Sequence, residues 1–335
     1  MLKGAFIGFG NVAANGHMPG WLARDDVRIV AATDAAPSRE QAFLAACPEG
    51  RWHATVDEML SDEKLDFVDI CAPPGSHAAL IERALRAGLH VMSEKPLVTR
   101  VEDVERVAGA AARAGRVLHT VHNWLNAPIC ARISALVDGG AVGLVRSVRW
   151  RTLRTRPAIA VSADGATNWR VDPAQAGGGI LSDHGWHALY CVTRWAGVPD
   201  GVAATLETRR LHDQPLEDTA SVDLMTAAGV SNIFLTWAAD ERSNEIEIEG
   251  DKGEIRAVGD GVILKSPAGE RRWTAPSLSE GSHHPEWFGA VAADFVAAAT
   301  GGARSNLDEA VLCARLIDAA QRSTEAGGAR IALAG

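Results

Sequence analysis

The feature that most constrains this chain is a glycine turn close to its start. Gly8-Phe9-Gly10-Asn11-Val12-Ala13 directly follows the short apolar run Ala5-Phe6-Ile7. A Gly-x-Gly-x-x-Ala turn between a strand and a helix is the pattern of a dinucleotide-binding βα unit. The first glycine permits the tight turn, the second lets the backbone approach a pyrophosphate, and the small third residue lets helix and strand pack closely. Free N–H groups and the dipole at the helix start then stabilise phosphate charge. Alone, the turn also fits a glycine-rich loop that binds nothing. Asp34, at the end of the second apolar run, narrows the reading. A carboxylate there accepts hydrogen bonds from both hydroxyls of an adenosine ribose and repels a 2′-phosphate. NAD is therefore the expected cofactor. Arg39, five residues on, keeps NADP open because it can pair with a 2′-phosphate. Asn15-Gly16 and Pro19-Gly20 fall inside the expected helix and predict that it is short or kinked at Pro19.

The rest of the first third repeats the strand–helix alternation. Apolar runs at Val27–Ala32, Phe67–Ala72, Leu89–Met92 and Val117–Val121 are separated by stretches with helical spacing, such as His77–Ala87 and Val101–Ala114. Such alternation implies a parallel sheet covered on both faces, with the strand C-terminal ends along one edge. After about residue 125 the pattern changes to strands joined by turn residues: 145–156, 202–210, 220–226, 230–238, 244–249, 253–258 and 261–266. Consecutive strands with short turns predict an antiparallel sheet. Two late helices are expected, Pro285–Ala299 and Leu307–Ser323. With 335 residues the chain accommodates two domains. The expected division is an α/β Rossmann domain over 1–122 and an α+β substrate and oligomerisation domain over 123–335, its last helix packing back on the first domain.

The net charge of −9 argues against nucleic acid or an anionic membrane as a partner. No apolar run reaches the ~18 residues of a membrane span, and the N-terminus lacks the long apolar centre of a signal peptide. Five scattered cysteines, none at Cys-x-x-Cys spacing, fit reduced thiols rather than a zinc site. A cytoplasmic protein without a metal is expected.

Two further motifs stand at the predicted ligand-facing positions. Glu94-Lys95-Pro96 closes the fourth strand, and Trp169-Arg170 precedes Gly177-Gly178-Gly179-Ile180-Leu181-Ser182-Asp183-His184-Gly185-Trp186-His187. Together with the glycine turn, these resemble the Gfo/Idh/MocA oxidoreductase family over nearly the whole chain. The resemblance implies a Rossmann domain joined to an open, mostly antiparallel sheet, with the active site between them. It implies that Lys95 lies near nicotinamide and substrate, that Asp183 and His187 are the family's acid and histidine pair, that the loop carrying Pro74 and His77 borders the cofactor, and that Asn123 lies beside the nicotinamide. It also makes the Lys95–Pro96 bond a candidate for cis. Many members carry an acidic residue three positions after the motif histidine; this chain has Tyr190. The segment His122-Asn123-Trp124-Leu125 also departs from the family pattern.

Oxidising a secondary alcohol needs a hydride acceptor and a proton acceptor. Asp183 and His187, four apart, share one face of a helix. His187 is assigned as general acid/base, since an imidazole titrates near pH ~6.5. Asp183 is assigned to hold the substrate or tune the imidazole, and Lys95 to stabilise a developing alkoxide. Which of Lys95 and His187 takes the proton stays open. His122, Trp124, Trp169 and Arg170 are the candidate substrate-shaping residues. The expected function is NAD-dependent interconversion of alcohol and ketone or aldehyde on a sugar, cyclitol or related polyol, in a homo-oligomer (dimer or tetramer). The alternatives are an NAD-retaining glycosidase-type enzyme and a nucleotide-sensing regulator without turnover.

Overall fold

The computed structural model describes residues 1–159, 168–281 and 283–333. Six parallel strands form the first sheet: β1 (Leu2–Ile7), β2 (Val27–Thr33), β3 (Arg51–His53), β4 (Phe67–Ile70), β5 (His90–Ser93) and β6 (Leu118–Thr120). Their order, β3-β2-β1-β4-β5-β6, reverses beside β1, so the β1 turn opens at the topological switch point where ligands bind in such sheets. The central strands are buried on both faces, as right-handed βαβ crossovers require. The three-residue strand β3 has no apolar run of its own, so no spacing in the sequence marks it.

The second sheet has nine strands. They are β7 (Val145–Leu153), β8 (Gly201–Glu207), β9 (Thr219–Thr226), β10 (Gly229–Thr236), β11 (Ser243–Gly250), β12 (Gly253–Val258), β13 (Gly261–Ser266), β14 (Gly269–Thr274) and β15 (Ile331–Ala332). Their order is β14-β13-β12-β11-β7-β10-β9-β8-β15, antiparallel throughout except for β7 on β10. That pair is parallel because β7 inserts between strands that follow it much later, after a long helical crossover. The strand β7 stops at Leu153 rather than running to Arg156, since its partner β10 ends at Thr236. The alternation of β7 sends Val148, Trp150 and Thr152 inward and Arg149 and Arg151 outward, where they pair with Glu245, Glu247 and Glu249 of β11.

Both late helices form where expected, Pro285–Ala299 and Leu307–Glu325. Phe288, Val291 and Phe295 of the first pack with Phe6, Trp21 and Phe67 on one face of the first sheet. Trp21 and Phe67 lie 5.0 Å apart and Phe67 and Phe295 5.2 Å, the spacing of favourable aromatic pairs. The second packs on β8 and against the helix Val101–Ala114. Just before it, Asn306 bonds Thr120 N–H and C=O at 2.8 and 2.7 Å, covering the free edge of β6. Among the described residues no helix is long and apolar enough to cross a membrane.

Candidate active site

The glycine turn is shaped by two different needs. Gly8 has φ +88°, and a Cβ there would lie 2.6 Å from Ala72 N, so only glycine fits. A Cβ on Gly10 would meet no atom within 4 Å: the space above it is open, as a pyrophosphate needs. Ala13 is fully buried at the helix–sheet contact. The Phe9 N–H donates to Asp34 Oδ2 at 2.6 Å and the Ala36 N–H to Asp34 Oδ1 at 2.7 Å, fixing the carboxylate beside the turn. Asn11 is exposed, Val12 half-buried, and Arg39 Nη1 donates to Asn11 Oδ1 at 3.5 Å. Arg39 thus stands over the turn. The Phe9 ring does not; it packs edge-on to Phe6 and Phe43 in the core, so its contribution is the backbone alone. These groups fit a dinucleotide. Asn123 adds a further sign: its Oδ1 is buried and has no hydrogen-bond partner among the described residues, an acceptor open to an amide N–H.

The helix after the turn is short, one of the two expected outcomes, and ends at Leu22. It widens earlier into a π-type turn, Ala13–His17, closed by Met18 N–H on Ala13 C=O, and continues as Met18–Leu22. The extra residue turns His17 inward. His17 Nδ1 lies 2.9 Å from Asp69 Oδ2 and Nε2 3.1 Å from Glu94 Oε1, and the ring stacks on Phe288. Trp21 Nε1–H also donates to Asp69 Oδ2, at 2.8 Å. Burial alone would lower the His17 pKa; the Asp69 charge and hydrogen bond outweigh it and raise it well above the ordinary value. A cationic His17 therefore ties β4 to the Glu-Lys-Pro loop. Sequence reasoning missed this cluster. The available signal was Asp69, a charge inside the apolar run of a buried strand, which demands a partner.

Glu94 continues the link, its Oε2 accepting the Lys95 N–H at 2.9 Å. The Lys95–Pro96 peptide is cis. Lys95 Nζ donates to Asp183 Oδ1 at 3.0 Å and to Asp183 C=O at 2.9 Å, and Arg170 Nη1 donates to Asp183 Oδ1 at 2.6 Å. Burial would raise the Asp183 pKa, but the Arg170 and Lys95 charges hold it well below the usual carboxylate range. One carboxylate against two cations leaves the cluster net positive. The Arg170 guanidinium also lies 4.6 Å over the Trp169 ring.

Asp183 and His187 sit on a helix that starts with a second π-type turn, Leu181–Gly185, before the α-helix Trp186–Ala196. The Glu217 carboxylate accepts Gly179 and Leu181 N–H at 3.0 and 3.1 Å and so satisfies orphan donors at that end. Glu217 lies 36 residues away in sequence from Leu181, and no local pattern marks it. The wide turn separates the two motif residues: Asp183 bonds Lys95 and Arg170, whereas His187 Nδ1 lies 3.1 Å from Tyr190 Oη. Asp183 therefore acts on the imidazole through its charge and not through a hydrogen bond. His187 stacks on Trp124 at 4.5 Å, nearly parallel. Burial, then the Lys95 charge, hold its pKa well below the ordinary value.

Of two other expected ligand contacts, that of His77 is corrected. His77 is fully buried, with Nδ1 2.9 Å from Pro96 C=O and Nε2 2.8 Å from Ala72 C=O. Both ring nitrogens brace two loops and neither is free for a cofactor. His122 is buried behind the site, stacked on Tyr190 at 4.2 Å, with Nε2 accepting from Trp186 Nε1–H at 3.1 Å; burial pushes its pKa down to about 3. Its Nε2 is thereby committed to Trp186. Pro74, also buried, opens the turn Pro74–Ser76 that meets the Pro173–Ala176 turn.

Residues 2–122 match the family described as "Oxidoreductase family, NAD-binding Rossmann fold", and residues 130–256 match "GFO/IDH/MocA C-terminal domain". D-apiose dehydrogenase of Paraburkholderia graminis is 30% identical over 77% of this chain and 68% of its own. Inositol 2-dehydrogenase of Rhizobium meliloti is 28% identical over 89% of each chain. The solved structure of a putative myo-inositol dehydrogenase from Sinorhizobium meliloti 1021 superposes with a TM-score of 0.83 at 26% identity, covering 100% of both chains.

Proposed function

Since the chain belongs to the Gfo/Idh/MocA oxidoreductase family, we propose that it interconverts an alcohol and a ketone or aldehyde on a sugar, cyclitol or related polyol, with NAD as redox partner. As in its relatives named as dehydrogenases, the chemistry is NAD(P)-dependent and acts on CH–OH groups. Bound NAD supplies a hydride acceptor at the nicotinamide ring. The chain's own residues do the rest. The Gly8–Ala13 turn and Asp34 would hold pyrophosphate and ribose, and the buried Asn123 Oδ1 would accept from a carboxamide N–H. Lys95 and His187 face the substrate hydroxyl, handling its proton and the developing negative charge. Asp183 and Arg170 orient Lys95, Trp124 braces the His187 ring, and Trp169 offers a flat surface for a sugar ring.

The observation that carries this reading is the Lys95–Asp183 ion pair, which links the Glu-Lys-Pro loop beside the nucleotide turn to the helix bearing His187. A screen of sugars, inositols and uronates with NAD, followed by NADH absorbance, tests it. Net NADH formation with one substrate class is the expected result. Tight NAD binding with no turnover across the screen would turn the assignment toward a sensor, and glycoside cleavage without NADH accumulation toward an NAD-retaining hydrolase.

The same reading makes the protein a cytoplasmic homo-oligomer. It is supported by five unpaired cysteines, which persist as thiols in a reducing compartment, and by the broad outward face of the second sheet. Light scattering of the purified protein checks the oligomer.

A further inference from the structure

Tyr190 is the only tyrosine in the chain, and it is buried. Its Oη lies 2.8 Å from the Trp124 backbone nitrogen and 3.1 Å from His187 Nδ1. The Trp124 N–H can only donate, so it occupies a lone pair of the hydroxyl. The hydroxyl's own proton then needs an acceptor. Among the described residues, His187 Nδ1 is the only other polar atom bonded to it. Leaving a buried hydroxyl proton unpaired is costly. The geometry therefore has Tyr190 Oη–H donating to Nδ1, and a neutral imidazole whose Nδ1 accepts carries its proton on Nε2. Both rings are clamped in this arrangement: Trp124 stacks on His187, and His122 stacks on Tyr190. His122 and Trp186 bond to each other and compete for neither atom. The titratable groups that act on His187 are Lys95 when protonated, His184 and His122, which oppose a second proton, and Asp183, which favours one; burial is the largest influence and keeps the imidazole neutral.

We propose that Tyr190 is a positioning residue that holds His187 in the Nε2–H tautomer, so that His187 meets the reacting oxygen as a neutral hydrogen-bond donor while Lys95 accepts the proton. This rests on the dehydrogenase reading. In the oxidation, the carbinol C–H bond breaks and its electron pair goes with the hydrogen to NAD. The ion-paired Lys95 first gives one proton to water; the O–H bond then breaks, its proton goes to the lone pair of the resulting amine, and the C=O bond forms. An amine at Lys95 still has two N–H groups for Asp183 C=O and Asp183 Oδ1, which leaves its lone pair for the substrate. His187 Nε2–H supports the oxygen and transfers nothing.

The tautomer is read by long-range 1H–15N correlation on enzyme labelled at histidine, with His187 assigned by the signal lost in His187→Asn. The expected result is a bare Nδ1 and a protonated Nε2 in the full-length protein, without a second proton down to pH 6. Tyr190→Phe keeps the ring and removes the hydroxyl; it should give mixed tautomers and about 10-fold lower kcat/KM, the loss of one oriented hydrogen bond. Tyr190→Glu places a carboxylate that accepts from Nδ1; it should invert the tautomer and add an imidazole limb to the kcat/KM–pH profile. An Nδ1–H tautomer in the unsubstituted enzyme overturns the proposal, as does a tautomer unchanged in Tyr190→Phe. Those two measurements decide it if Tyr190→Glu fails to fold. The tautomer result needs no turnover, so a failed substrate screen refutes the dehydrogenase reading and the Lys95 role without touching the Tyr190–His187 bond.

Discussion

Lys95 and Asp183 lie 88 residues apart in sequence and 3.0 Å apart in space, with Lys95 13% and Asp183 12% exposed at the side chain. A pair this deeply shielded from water depends on its geometry, because each charge loses hydration that only the partner and further hydrogen bonds replace. Arg170 and the Asp183 carbonyl supply those further bonds.

Removing one member should therefore cost both stability and turnover. Asp183→Asn leaves Lys95 and Arg170 facing each other without a counter-charge, and a loss of about 3–5 kcal/mol in urea denaturation is expected. Lys95→Met should lower kcat/KM by at least ~10²-fold while NAD affinity, read by calorimetry, stays near the starting value. Near-normal rates in Lys95→Met would show that the proton and the alkoxide charge are handled elsewhere.

The two glycines of the turn should respond differently to the same change. Gly8→Ala forces a side chain into φ +88° and against Ala72, a strain of about 1–3 kcal/mol that thermal melts will register. Gly10→Ala finds open space in the protein, so stability should move by no more than ~0.5 kcal/mol. Its methyl group stands where the pyrophosphate approaches, and NAD affinity should fall at least ~10-fold. Equal NAD affinity in Gly10→Ala would remove the turn from the cofactor site.

In the proposed function, Asp34 carries the choice between the two nicotinamide dinucleotides. NAD should bind more tightly than NADP by calorimetric titration, and Asp34→Ser should narrow or invert the ratio by relieving repulsion of a 2′-phosphate beside Arg39. Tighter NADP binding in the unsubstituted enzyme contradicts the assignment.

His17→Ala strands two carboxylates, Asp69 and Glu94, that now share one buried cation. A loss of about 3–5 kcal/mol is expected from denaturant midpoints. His17→Gln, which keeps one donor, should recover part of it. Little change in either variant would mean that Asp69 is not ionised in the fold.

Stability should fall as pH drops below about 6.5, the value at which unfolded histidines protonate. Burial lowers the His119 pKa to about 4 and the His122 pKa to about 3, and holds His187 down as well. Each binds a proton in the unfolded chain before it does in the fold, so each removes about 1.4 kcal/mol per pH unit below that point. The His119 contribution ends near pH 4 and that of His122 near pH 3. His17 has the opposite sign: its raised pKa stabilises the fold fully below about 6.5 and is lost as pH rises through the folded value. Melting temperature measured from pH 8 to 4.5 reads the balance, and a flatter acid limb in His122→Phe isolates one term. A flat profile in the unsubstituted protein would mean these rings are hydrated.

Much of the candidate site's geometry was legible because its parts are local. The turn at Gly8 announces itself through the glycine spacing and the preceding strand, and Glu94-Lys95-Pro96 through its place at a strand end. The helices Pro285–Ala299 and Leu307–Glu325 follow from uninterrupted apolar periodicity. The His77 side chain was misjudged because a histidine after a strand reads the same whether it faces a cleft or braces a carbonyl. Short strands such as β3 and β15 carry too few residues for a period of two to show.

By itself, then, the order of residues determined the nucleotide turn, the parallel sheet around it and the class of chemistry, since these rest on spacing within a few residues. Tertiary structure alone decided the partners: His17 with Asp69 and Glu94, Lys95 with Asp183, Glu217 with the helix start, and Tyr190 with Trp124 as well as His187. Buried polar groups must find partners wherever the fold brings them, and most of these partners lie 36 to 88 residues away along the chain. Even Tyr190, three residues from His187, takes its meaning from a third group that only the fold supplies, the Trp124 N–H that fixes which way the hydroxyl points.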